Sequence, residues 1–164
     1  MKIGLVSDTH GNARRLARAL AMLLEHGAEV IVHCGDIGSD ECVRLLGSAG
    51  VPAWAVAGNM DRHLPHLAAT AAGAGVTFHA RTIEVPLPDG RYLVAVHGHD
   101  DGLMEELLAG RQSAYVCHGH SHRRRDARLG TTRVINPGAL HRAHPPSAAL
   151  LDTGMDEVVF LDVV

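Results

Sequence analysis

The chain has 164 residues, 46% of them hydrophobic but only 3% aromatic, and a formal net charge of −3, which suits one domain (residues 1–164) with an aliphatic core. A globule of this size hides roughly 70% of its unfolded surface, so its core requires no disulfide or metal. The charge balance excludes a general nucleic-acid-binding face, and no apolar run approaches the roughly 18 residues of a membrane span.

Lys2 to Ser7 reads as a buried strand, with too short an apolar run for a secretion signal. Asn12 caps a helix to about Glu25 that carries Leu16, Leu20, Leu23 and Leu24 on one face and Arg14, Arg15 and Arg18 opposite. A strand from Val30 to Cys34, a helix from Asp40 to Ala49 and a strand from Pro52 to Val56 complete a β-α-β-α-β start. That order implies a parallel sheet with right-handed crossovers. A short helix from Leu64 to Ala72 follows. Six strand-like runs then succeed one another: Thr82–Pro86, Tyr92–His97, Ala114–Cys117, Thr132–Ile135, Ala148–Asp152 and Val158–Leu161. A hairpin turn at Pro88-Asp89-Gly90 and a helix from Gly102 to Ala109 interrupt them. The strand-rich second half adds a mixed or antiparallel sheet to the parallel one.

Cys34, Cys42 and Cys117 are odd in number and form no CxxC pair, which points to reduced thiols in a cytoplasmic protein. Histidine is in surplus, at 13 residues. Its placement is informative, because five predicted strands each end in a potential metal donor. They run into Asp8-Thr9-His10, Gly35-Asp36, Gly58-Asn59-Met60-Asp61, His97-Gly98-His99 and Gly119-His120-Ser121-His122. Ligands of open α/β sheets bind at the carboxyl ends of strands. A mixed set of Asp, Asn and His suits manganese, iron, cobalt, nickel or zinc better than calcium or magnesium. There are more donors than one ion can use.

Taken in order, these motifs resemble the signature of the calcineurin-like metallophosphoesterases, and Asn136-Pro137-Gly138 resembles a loop of their small bacterial and archaeal phosphodiesterases. The resemblance runs from Asp8 to Gly138. It implies an α/β fold, a four-layer α/β/β/α sandwich of two mixed sheets flanked by helices. It also implies two divalent ions per chain, manganese first, with nickel, cobalt, iron or zinc as alternatives. One ion would be bound by Asp8, His10 and His122 and the other by Asn59, His97 and His120, with Asp36 bridging them. The implied reaction is hydrolysis of a phosphate ester, most simply a diester, by in-line attack of a hydroxide shared between the ions. A small phosphate-ester substrate, with a nucleotide among the candidates, and a homodimer belong to the same expectation. The rival is a protein-interaction scaffold, as in the retromer subunit that shares the fold.

Many relatives have histidine after Gly-Asn, where this chain has Met60; a thioether cannot give a proton to a leaving group. The chain would then favour good leaving groups or use another donor, such as His99 or metal-bound water. Asp61 is expected to orient a metal-binding residue or water. Arg62 and Arg123 are candidates to meet a substrate phosphate. Asn12 reads as a helix cap, Asn136 to Gly138 as a supporting loop, and Cys34 and Cys117 as core residues. His118 reads as a neighbour of the site, and His33 and His141 as ordinary polar groups.

Overall fold

The computed structural model describes residues 1–110 and 113–164. It opens with β1 (Lys2–Val6), α1 (Ala13–Glu25), β2 (Val30–His33), α2 (Asp40–Gly47), β3 (Ala53–Val56), α3 (Leu64–Ala74) and β4 (Val76–His79). β5 (Thr82–Pro86), β6 (Tyr92–Val96), α4 (Asp101–Gly110), β7 (Tyr115–Cys117), β8 (Arg124–Leu129), β9 (Thr132–Pro137), β10 (Ser147–Asp152) and β11 (Glu157–Asp162) follow. One sheet has the order β11-β10-β1-β2-β3-β4, with β1 to β4 parallel. The other has the order β5-β6-β7-β9-β8, with β6, β7 and β9 parallel between antiparallel edges. Both sheets are therefore mixed.

Alternation along each strand divides the apolar residues between two cores. Ile3, Leu5, Val30, Val32 and Cys34 face Leu93, Ala95, Tyr115, Cys117 and Ile135 across the gap between the sheets. Val6 and Ile31 point the other way, onto Leu16, Leu20 and Leu23 of α1 and Val43 and Leu46 of α2. Burial of each such Leu, Ile or Val is worth about 1.5–3 kcal/mol. β1 and β2 are buried on both faces, which is why they read as continuous apolar runs. α4 follows β6, and its Leu103 and Met104 line one cavity with Val96 while Leu107 lines another with Val94. The layers are α/β/β/α, as expected. The outer layers are unequal, because α4 has no fully buried residue.

Caps behave as their side chains predict. Asn12 Oδ1 accepts the Arg15 N–H at 3.1 Å, and Ser39 Oγ accepts that of Cys42 at 3.2 Å. Two strands escaped the sequence reading. β4 is four residues long and exists through its pairing with β3. β8, with the sequence RRDARL, is an exposed edge strand whose charges mask any alternation. No helix among the described residues is long and apolar enough to cross a membrane.

Candidate metal centre

The carboxyl ends of β1, β2, β3, β6 and β7 converge, and each continues into one of the donor motifs. Hydrogen bonds tie these ends together. Asp8 N donates to Gly35 O, His10 N to Asp36 O, and Gly119 N to His97 O. Two glycines permit the close approach: a Cβ at Gly119 would lie 1.8 Å from Ser7 Oγ, and one at Gly58 2.0 Å from Asp36 Oδ1. Asp8, His10, Asp36, His120 and His122 all have positive φ, between 47° and 65°. Each such left-handed non-glycine residue costs roughly 1 kcal/mol or more. Strain concentrated in this way marks a functional centre held in place by its surroundings.

The donor atoms face one another. Asp8 Oδ1 is 3.3 Å from His122 Nε2 and 3.9 Å from His10 Nε2. Asp36 Oδ2 is 3.3 Å from His97 Nε2 and 3.6 Å from His10 Nε2. His97 Nε2 is 3.0 Å from Asn59 Oδ1. The His120 ring lies at the mouth, its centroid 5.2 Å from that of His97. Hydrogen bonds from the surrounding loops aim these groups. Asp8 Oδ2 accepts from Ser7 Oγ at 2.6 Å and from His120 N at 3.1 Å, leaving Oδ1 facing the centre. Asp36 Oδ1 accepts the Met60 N–H at 2.8 Å, leaving Oδ2. His97 Nδ1 lies 2.9 Å from the Cys34 carbonyl, and donation there presents Nε2 as a lone pair.

The electrostatics are those of buried opposite charges. Burial pushes the Asp8 carboxyl up, against the Ser7 hydrogen bond and the imidazoles of His97 and His122. Burial also opposes ionisation of Asp36, but bonds from His97 and the Met60 amide outweigh it and hold the carboxyl below its usual range. His97 moves up: burial disfavours its charge, and Asp36 and the Cys34 carbonyl more than compensate. His33, packed beneath, is driven down to about 3 by burial.

This donor set fits divalent metal. Asp8 Oδ1 and His10 Nε2 are buried without a hydrogen-bond partner, which costs free energy unless something binds them. Ligand atoms about 2.1 Å from a tetrahedral ion stand roughly 3.4 Å apart. The spacings from Asp8 to His122 and from Asp36 to His97, both 3.3 Å, are close to that value. Asp8, His10 and His122 form one set of converging donors, and Asp8, Asp36 and His97 another. Asp36 Oδ2 therefore lies between His10 of the first set and His97 of the second.

Residues 1–156 match the calcineurin-like phosphoesterase superfamily domain. The chain belongs to this superfamily. A phosphodiesterase of Methanocaldococcus jannaschii is 26% identical over 160 residues, 96% of each chain. A solved archaeal phosphodiesterase superposes with a TM-score of 0.89 at 25% identity, covering 98% of this chain and 99% of that one. Vacuolar protein sorting 29 of Cryptosporidium parvum shares the fold, with a TM-score of 0.64 at 18% identity over 98% of this chain and 96% of that one.

Within this phosphoesterase fold, Asp8, His10, Asp36, Asn59, His97, His120 and His122 come together from sequence-distant segments. Asp61 acts through backbone: its carboxylate accepts from the N–H groups of Ile37, Gly38 and Gly58, next to Asp36 and Asn59. His99 stands at the rim, its ring 5.4 Å from that of His97, and burial followed by the neighbouring imidazoles lowers its pKa. Arg62 and Arg123 lie in depressions on opposite flanks, beside Met60 and His122 respectively. Asn136 supports the last motif, its Nδ2 donating to Gly119 O at 2.8 Å and Ser121 Oγ at 3.1 Å. His118 is buried against this loop, with Nδ1 3.1 Å from Gly119 O.

Sequence reasoning missed His141, whose ring lies 5.3 Å from that of His10. No motif marks it. It is brought there by backbone bonds from Leu140 N to Ser7 O and from His141 N to Asp8 O.

Proposed function

We propose that the chain is a metal-dependent phosphodiesterase that hydrolyses a small phosphate ester by in-line hydroxide attack at a centre of two divalent ions. Asp8, His10 and His122 would hold one ion and Asn59, His97 and His120 the other, with Asp36 shared. The carrying observation is the position of Asp36 Oδ2, 3.6 Å from His10 Nε2 and 3.3 Å from His97 Nε2. Two divalent ions supply an acidified water and positive charge for the phosphate oxygens. The protein contributes pre-aimed donors: the Met60 amide turns Asp36, the His120 amide turns Asp8, and the Cys34 carbonyl sets the tautomer of His97. Support for the diester comes from the phosphodiesterase relatives.

Met60 is 49% exposed and brings no proton to the leaving group. Esters with good leaving groups are therefore the preferred substrates, and His99 is the residue placed to assist poorer ones. Rates on aryl esters of graded leaving-group pKa should fall steeply as that pKa rises, and His99→Ala should steepen the fall. A flat series, or an unchanged one in the variant, contradicts these two assignments in turn.

The direct test reloads metal-free protein with Mn, Ni, Co, Fe, Zn or Mg in turn and assays mono- and diester phosphates. Manganese is expected to serve best, and silence with every metal overturns the proposal. Asp36→Asn should abolish hydrolysis and leave the protein folded. If that variant unfolds instead, the ions are structural. The scaffold reading rests on a likeness of fold alone, and no expected metal-binding position has been lost here.

A further inference from the structure

From the His122 side of the centre, a groove of about 480 Å³ runs outward between the start of β8 and the loop joining β9 to β10. Its volume lies within the range of small-molecule sites. Arg123, Arg124 and Arg142 line it, and no Phe, Tyr or Trp side chain does. Arg124 is already engaged, paired with Asp162 and lying 5.5 Å from the centroid of the Phe160 ring. Arg123 and Arg142 are exposed and have no carboxylate partner among the described residues.

The position of Arg142 is built in. It has φ 51°, in the left-handed region, and follows His141, whose N–H is bonded to Asp8 O. Its backbone is thus fixed relative to the metal centre at a cost of roughly 1 kcal/mol or more. The opposite flank differs: the depression beside Arg62 and Met60 also holds Asp40, paired with His66 at 2.8 Å. A carboxylate there disfavours an anion, whereas two unpaired guanidinium groups beside His122 attract one. Guanidinium forks match phosphate oxygens in geometry as well as charge.

We propose that this groove is a subsite for a second phosphate, so that the substrate is a phosphodiester bearing another phosphoryl group on its His122 side. The proposal rests on the phosphodiesterase reading above and narrows its substrate class. Recognition through Arg123 and Arg142 involves the added phosphate and no stacked base.

The test compares thymidine 5′-(4-nitrophenyl phosphate) with the same ester carrying a 3′-phosphate, using metal-loaded protein. The 3′-phosphorylated ester should show a kcat/KM at least tenfold higher. Arg142→Glu and Arg123→Glu should each collapse that ratio towards one. Both side chains are exposed, and thermal melts check that the variants fold. Hydrolysis of both esters with equal kcat/KM overturns the subsite and leaves the phosphodiesterase reading intact. If neither ester is cleaved with any metal, the phosphodiesterase reading fails, and calorimetric titration of thymidine 3′,5′-bisphosphate decides the subsite. Binding weakened at least tenfold by Arg142→Glu supports it, and unchanged or absent binding overturns it.

Discussion

The backbone N–H of His120 donates to Asp8 Oδ2 at 3.1 Å, although 112 positions separate the two residues. This bond joins the end of β7 in one sheet to the end of β1 in the other, and it turns the opposite oxygen of Asp8 towards His122.

That junction tolerates no added atom. A Cβ at Gly119 would lie 1.8 Å from Ser7 Oγ and 2.6 Å from Asp8 Oδ2. Gly119→Ala should destabilise the protein by about 1–3 kcal/mol through overpacking. It should also weaken metal binding by about 10–100-fold, because the aim of Asp8 is lost. Denaturant unfolding and a metal titration measure the two effects separately.

Asp61 holds three amides that flank Asp36 and Asn59. Asp61→Asn replaces one acceptor oxygen by an NH₂ group facing N–H donors. The expected cost is about 1–3 kcal/mol, from buried donors left unpaired. Metal affinity should drop with it, whereas a merely surface aspartate would change neither quantity in the unfolding and titration experiments.

Asn136 gives the complementary case on the other sheet. Its Nδ2 donates to Gly119 O and Ser121 Oγ, and its Oδ1 accepts from Gly138 N. Asn136→Asp keeps the shape but sets an acceptor against the Gly119 carbonyl. Metal affinity should fall about 10–100-fold. Asn136→Ala should lose less, since it introduces no repulsion. Isothermal titration of both variants checks that order.

His33 predicts an acid-side loss of stability. Burial holds its folded pKa at about 3, and its Nε2 lies 2.7 Å from Thr9 Oγ1. An unfolded histidine titrates near 6.5, so below that pH the unfolded chain takes up a proton that the folded chain refuses. The stabilising contribution is complete above pH 6.5 and declines as pH falls towards 3. Between pH 7 and pH 5 the metal-free protein should lose about 2 kcal/mol more than His33→Gln does. Parallel losses in the two proteins would contradict this account.

The sequence alone determined the strand-end motifs, the β-α-β-α-β opening and the donor chemistry. Buried parallel strands must be apolar throughout, and the polar residues that end them stand out against that background. Helices α1 and α2 were equally legible, because their caps and apolar stripes are local. β4 and β8 were not, since one exists through its partner strand and the other carries edge charges. Tertiary structure alone decided which atoms meet. It brought His141 beside His10 and set Asp61 to hold backbone amides. It also placed Arg142 in one groove with Arg123, 19 residues earlier in the chain (142 − 123). Such placements follow from packing one sheet on another, and no local pattern of residues encodes where two loops from different sheets will meet.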